Sequence, residues 1–329
     1  MTRHHLVTVG LSSHRLEVLP YARREMQNHE AIVLEEAPEP DFPALLAGKL
    51  RVDGYLADKD PEFPAYSRKQ ALLLRELHQE GKGIFQVEPY LERLIRIHEL
   101  LAEGLTRSQV ESRPGLKEVY DAEARASAAL LNFYARAHNA PFPQVVAAVQ
   151  DFARADAARF RVRDDLRAKA LLPLASSIAS LYVEAGYIHL FLVKRLRQLL
   201  AGQAHVLPVF LLAGPSLKTL GRPRPMGPGD LLTLYYIFNA GLKKEKEEVL
   251  AARSLIYIKL LRKDEMAPTD DRFTPHMDDE IQAYRLTADL TFQDCAALYP
   301  EIRRLPPQAA GQAVRRYLGK NCENLLVEA

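Results

Sequence analysis

Cysteine is nearly missing from this chain of 329 residues: Cys295 and Cys322 are the two it has. Both stand near the C-terminus and no CxxC spacing exists, which argues against a disulfide framework and against the common structural zinc sites. Such sparse use of cysteine fits a reducing compartment, and the expected location is the cytoplasm. Long apolar runs are also lacking, and the longest, such as Val206 to Gly214, falls far short of a membrane span. The start, Met1-Thr2-Arg3-His4-His5, leads straight into a strand-like run, so no signal peptide is expected. Neither sign of charge dominates; a formal net charge of +2 removes any global pull toward nucleic acid or an anionic membrane. No repeat with a period of about 20–50 residues is present. What remains is an ordinary globular composition, 48% hydrophobic and 26% charged, long enough for one large α/β domain with additions or for two domains.

Hydrophobic patterning supplies the organisation. Leu6 to Val9 reads as a buried strand ending at Gly10, and His14 to His29 as a helix. Ala31 to Leu34 is a second strand running into Glu35 and Glu36. A helix is predicted over Ser67 to Gly81, a third strand over Ile84 to Val87, and a helix from Tyr90 to Glu103 stopped by Gly104. This β-α-β-α-β-α rhythm predicts an α/β fold with a largely parallel or mixed central sheet and flanking helices. Residues 105–170 then read as a helical insertion, a lid over the sheet edge. The rhythm returns with a strand from Ser177 to Val183, a helix from Tyr187 to Leu200 and a strand from Val206 to Leu212. Asp230 is the expected N-cap of a helix over Leu231 to Ala240, and the remainder reads as helical. The expected division is an α/β core of residues 1–104 and 171–215, the insertion 105–170, and a helical C-terminal region 216–329.

Four strand ends carry acid/base or ligand-type side chains: His14, Glu35 (or Glu36), Glu88 and His189. Strands that run the same way put their carboxyl ends on one rim, where α/β proteins collect their chemistry. Imidazoles and carboxylates together suit either a divalent metal or a metal-free general base. Each also has a plain structural role available: Glu88 before Pro89 as a helix cap, Glu35 and Glu36 as a loop start, either histidine as a packing residue. Glu35 is preferred over Glu36 because it directly continues the buried run. His4, His5 and His205 sit at the opposite ends of strands, His78 and His98 lie within helices, and His276 opens an acidic helix start with Asp278 and Asp279. Ser12 and Ser13 lack the second glycine of a nucleophile elbow. Arg222 and Arg224, in a proline-glycine loop, could hold an anionic group of a substrate, and Tyr66, Tyr90 or Tyr187 could line the cleft.

Laid out this way, the chain resembles the superfamily that joins the TraB and Tiki proteins with the erythromycin esterase and ChaN proteins. Gly186-Tyr187-Ile188-His189 matches its second G-x-x-H motif; Gly10-Leu11-Ser12-Ser13-His14 resembles the first but is one residue longer. Val33-Leu34-Glu35 resembles the acidic strand end, and Val87-Glu88 the next acidic strand end of the TraB branch. The likeness covers roughly residues 5–104 and 175–214. It implies hydrolysis of an ester or amide, with His14 as base or ligand, Glu35 as its partner and His189 as second base or ligand. A divalent metal (Mn, Zn or Fe) held by His14, Glu35 and His189 is one form that the resemblance implies; a metal-free site is the other. Tyr187, Arg222 and Arg224 are the expected substrate contacts, and the expected partners are a small-molecule or peptide substrate, with a homo-oligomer allowed. The competing reading is a non-enzymatic module that binds haem or a small anion, or docks a protein.

Overall fold

Among the described residues five short apolar runs become strands: β1 (His5–Ser12), β2 (Ala31–Leu34), β3 (Gly83–Gln86), β4 (Ser180–Gly186) and β5 (Ala204–Phe210). All pair in parallel, in the order β3-β2-β4-β1-β5. The protein is therefore an α/β fold with helices between its strands, seen in a computed structural model that describes residues 5–57 and 59–327, with side chains described as far as residue 319. His4 and the Cys322 side chain lie outside the described residues.

The helices follow in chain order: α1 (Leu19–Gln27), α2 (Phe42–Leu46), α3 (Val52–Leu56), α4 (Pro64–Gln79), α5 (Pro89–Ala102), α6 (Arg107–Glu111), α7 (Lys117–Asn139) and α8 (Phe142–Ser177). After β4 comes α9 (Leu190–Leu199), and after β5 come α10 (Ala213–Leu220), α11 (Pro228–Ile237), α12 (Lys244–Leu260), α13 (Pro275–Thr287), α14 (Phe292–Ile302) and α15 (Pro307–Val327). Pro64, Pro89, Pro228 and Pro275 stand in the first turn of their helices, where the missing N–H costs nothing. This corrects one expectation: because Pro228 opens α11, Asp230 lies within its first turn and Gly227 takes the cap position.

Alternation along the strands gives the sheet two different faces. Val7, Val9 and Leu11 of β1 and Leu181, Val183 and Ala185 of β4 pack against Ala168, Leu171 and Ala175 of α8 and Leu192, Val193 and Leu196 of α9. The intervening residues, Thr8, Gly10, Tyr182 and Glu184, point to the other face. Gly10 is not the strand end that the sequence suggested. β1 continues to Ser12, which pairs with Gly186, while Gly10 pairs with Glu184. A Cβ on Gly10 would stand 2.1 Å from the Tyr182 hydroxyl, so glycine is there to admit the tyrosine ring. The stretch read as one helix from His14 is a short 3₁₀ turn, Leu16–Val18, followed by α1.

The neighbours β1 and β4 send the chain in opposite directions, β1 across to β2 and β4 across to β5. Such a reversal opens a crevice at the carboxyl ends of the two strands. The turns after β1 and β4, which carry His14 and His189, flank it.

The described chain divides into two compact units. The first, residues 1–123, 159–224 and 265–273, contains the sheet. The second, residues 124–158, 225–264 and 274–329, is built from helices. Its core joins Val145, Val146 and Val149 of α8 to Leu232, Leu255, Ile256, Leu298, Ile302 and Val314. The insertion therefore does not stand apart as residues 105–170. Val110, Leu116 and Val119 pack with Tyr90, Ile97 and Leu100 of α5, with Val162 and Leu166 against them, so both ends of that stretch belong to the sheet unit.

Candidate active site

His14 closes the turn after β1 in a left-handed backbone conformation, φ 51°. Histidine tolerates that region better than most residues, and such a position costs free energy that something nearby must offset. Its N–H points to the Ser12 hydroxyl at 3.4 Å. The side chain is 33% exposed, yet its Nε2 is buried, 3.9 Å from Glu35 Oε2 and 3.9 Å from Glu184 Oε1. Tyr66 of α4 lies beside it, ring centroids 6.1 Å apart.

Both carboxylates are fixed from below. Glu184, on the α4 face of β4, accepts from Gln70 Nε2 at 2.7 Å and Tyr66 Oη at 3.4 Å, and its other oxygen faces the Glu35 N–H at 3.3 Å. Tyr66 and Gln70 are four residues apart and so share one stripe of the helix. Glu35 accepts from Arg163 Nη2 at 2.8 Å, from the Gly186 N–H at 2.6 Å and from His189 Nε2 at 2.9 Å. Burial alone would raise its carboxyl. The His189 charge and hydrogen bond, then Arg163 and Arg167, overcome that and hold it well below the usual carboxylate range.

His189 is deeply buried, with both ring nitrogens on carboxylates: Nε2 on Glu35 and Nδ1 on Asp164 Oδ1. The second Asp164 oxygen accepts the Leu192 N–H at 2.9 Å, in the first turn of α9. The Phe160 ring meets the imidazole edge-on at 5.1 Å. Burial lowers the affinity of His189 for a proton, but Glu35 and Asp164 outweigh it and raise the pKa to about 9. At neutral pH the ring is thus a cation with both N–H groups donating.

Glu88, fully buried, follows β3 and faces Arg163 Nε at 3.3 Å and Arg167 Nε at 3.6 Å. Burial pushes its carboxyl up, against the pull of the two guanidiniums. Arg167, also fully buried, donates from Nε to Val87 O at 3.0 Å. Glu88 therefore reaches the histidines through arginines. Glu36 turns instead to Gln86 Nε2 at 2.8 Å, and burial and the nearby Glu184 raise its carboxyl. The Tyr187 N–H donates to Ser12 O at 3.0 Å, tying the two histidine-bearing turns together. Arg224 stacks on the Tyr187 ring, 3.2 Å from guanidinium carbon to centroid, while Arg222 is exposed in the same loop. Tyr90 hydrogen-bonds Glu123 at 2.8 Å rather than lining this rim.

A chain with this site has a relative in an archaeal protein of Archaeoglobus fulgidus described as uncharacterized. The two are 32% identical over 291 residues, which span 88% of this chain and 97% of the archaeal one. The chain belongs to that protein's family. No family model matches it, and no solved structure does.

His14, Glu35 and His189, the trio expected for a divalent ion, lie together, but both His189 nitrogens face carboxylates and the Glu35 oxygens already take Arg163, His189 and the Gly186 amide. Among the described residues no group of three or more His, Cys, Asp or Glu is arranged to hold one. His276 begins α13 beside Asp278 and Asp279, whose carboxylates hydrogen-bond Thr274 Oγ1 and the Arg262 N–H.

Four participants escaped the sequence reading: Glu184, Arg163, Asp164 and Arg167. Glu184 carried a usable signal, a single acid inside an otherwise uncharged strand, where burial demands a partner. The other three lie in Arg161-Val162-Arg163-Asp164-Asp165-Leu166-Arg167, which alternates charge as a solvated helix does. The insertion was expected to cover the site; its residues 163–167 instead form part of it.

Proposed function

We propose that this protein is a hydrolase of the TraB/Tiki–erythromycin esterase type, in which His14 activates a water against an ester or amide carbonyl. One observation carries the reading: of the two rim imidazoles, His189 is committed at both nitrogens and His14 is not. His14 is therefore the base. Glu35 and Glu184 flank its Nε2, and their field favours the tautomer with the proton there, leaving the lone pair on Nδ1. A positioned imidazole is the commonest general base in such proton transfers.

In the attack, the water proton passes to His14 as the water oxygen bonds to the carbonyl carbon. Collapse of the tetrahedral adduct breaks the bond to the leaving alcohol or amine, and His14 returns the proton to it. The two carboxylates stabilise the imidazolium that exists between these steps. Tyr187 and Arg224 supply a wall for the substrate, with Arg222 farther along the loop; a small molecule or a peptide fits this chemistry.

The purified chain, assayed on a panel of carboxylic esters and peptide amides, should turn over at least one class. His14→Ala should lower kcat by about 10²–10⁴-fold, and added chelator should leave the wild-type rate unchanged. Turnover that survives His14→Ala, or no turnover across the whole panel, would sink the proposal.

A further inference from the structure

Asp164 enters the site from a part of the chain that carries no strand-end motif. It is fully buried, and both its oxygens are used: Oδ1 by His189 Nδ1, Oδ2 by the Leu192 N–H. The groups facing the His189 ring are Asp164 and Phe160 from α8, Glu35 from the end of β2, and Gly186 from the end of β4. Arg163, the residue before Asp164, binds the Glu35 oxygen that His189 also binds.

We propose that Asp164 is a positioning residue: it keeps a proton on His189 Nδ1, so that Nε2–H holds Glu35 in place beneath His14. His189 is then a strut, not a second base and not a ligand. The geometry requires this division of labour. A neutral imidazole has one N–H and one lone pair, and a lone pair facing either carboxylate in direct contact, such as Glu35 at 2.9 Å from Nε2, would be repelled. With both N–H groups present, each carboxylate receives a donor. Glu35 then stays ionised and fixed, 3.9 Å from Nε2 of the His14 ring, which becomes an imidazolium during the reaction. The glycine at residue 186 belongs to the same device. Its amide donates to Glu35, and a Cβ there would come within 3.3 Å of His189 Cδ2. The pKa of His189, raised to about 9 by these partners against its burial, agrees with the assignment.

The inference rests on the hydrolase reading for its catalytic consequence alone; the state of His189 can be tested without turnover. Nitrogen-15 histidine spectra of the full-length wild type at pH 7.5 should show one buried imidazole protonated at both nitrogens. That ring should not titrate between pH 6 and 8. In Asp164→Asn the side-chain amide donates where a carboxylate accepted, so the ring should become neutral and keep only its Nε2 proton. Turnover should then fall about 10–100-fold in kcat with little change in KM, the size expected when a histidine's orienting partner is lost, and Asp164→Glu should recover part of the loss. A wild-type His189 that is neutral at pH 7.5 overturns the proposal, even if Asp164→Asn does not fold. So does an Asp164→Asn protein that retains both ring protons, or one whose kcat is unchanged. A wild type without turnover but with the doubly protonated ring would sink the hydrolase reading and leave the strut standing.

Discussion

A left-handed histidine and an in-strand glycine shape the end of β1 at this site. His14 turns at φ 51° directly after β1, so its ring is thrown back over the strand ends and not outward along the helix that follows. Aligned on register, Ser12 is the partner of Gly186, and the first histidine follows its strand by two residues where the second follows by three. That difference explains why the first motif looked one residue too long: the glycine counted as its start, Gly10, lies inside the strand. Its absent side chain leaves room for Tyr182, whose hydroxyl and ring carbons lie 2.1–2.5 Å from where a Cβ would be. Gly10→Ala should therefore destabilise the protein by about 1–3 kcal/mol, the usual cost of overpacking. Urea unfolding followed by circular dichroism would measure this. A loss under about 0.5 kcal/mol, the range of an innocuous surface change, would show that the tyrosine moves freely and the close approach is not binding.

At the scale of elements, α8 is the least expected contributor. It presents Arg163 and Arg167, four residues apart, to Glu35 and Glu88, and Asp164 to His189. Removing one ion from a buried set leaves its partner without compensation, which costs about 3–5 kcal/mol where pairing is close. Arg167→Met should fall in that range by chemical denaturation, because Glu88 loses a guanidinium and Val87 O loses its donor. Adding Glu88→Gln should restore a substantial part of the stability. Strict additivity of the two substitutions would mean that the arginine and the glutamate do not interact. The strands, their parallel sense and the rim positions of His14, Glu35, Glu88 and His189 were legible because apolar periodicity and glycine breaks report directly on sheets. The roles were not. Nothing local separates an Arg-Asp-Arg stretch that faces water from one that faces a buried carboxylate, since only tertiary burial tells them apart. For the same reason Glu88 looked equivalent to Glu35, though the structure places arginines between it and the histidines.

At the scale of the whole molecule, the buried charges tie global stability to pH, with a sign that follows from each shift. His189 binds its proton more tightly folded than unfolded, with a pKa raised to about 9 from 6.5. Its contribution is complete below about pH 6.5, where both states are charged, and is lost as pH rises through about 9. Glu35, lowered by His189 and the arginines against its burial, acts oppositely: its contribution is present above the usual carboxylate range and fades as pH falls through its depressed value. Glu88 and Glu36, both raised chiefly by burial, favour the protonated form in the fold and so partly offset that acid loss. The acid side is a balance of opposed groups, whereas between pH 6.5 and 9 the shifted groups among the described residues include His189 and, toward the upper end, Cys295, whose thiol burial pushes up to about 12. The denaturation midpoint should decline from about pH 6.5 upward across that interval by a few kcal/mol in equivalent free energy, since each pKa unit is worth about 1.4 kcal/mol. Asp164→Asn should be less stable at pH 6.5 and show a flatter alkaline decline, because its His189 has no extra proton to lose. Parallel pH profiles for the two proteins would mean that the alkaline limb comes from another group and that His189 is not the titrating cation.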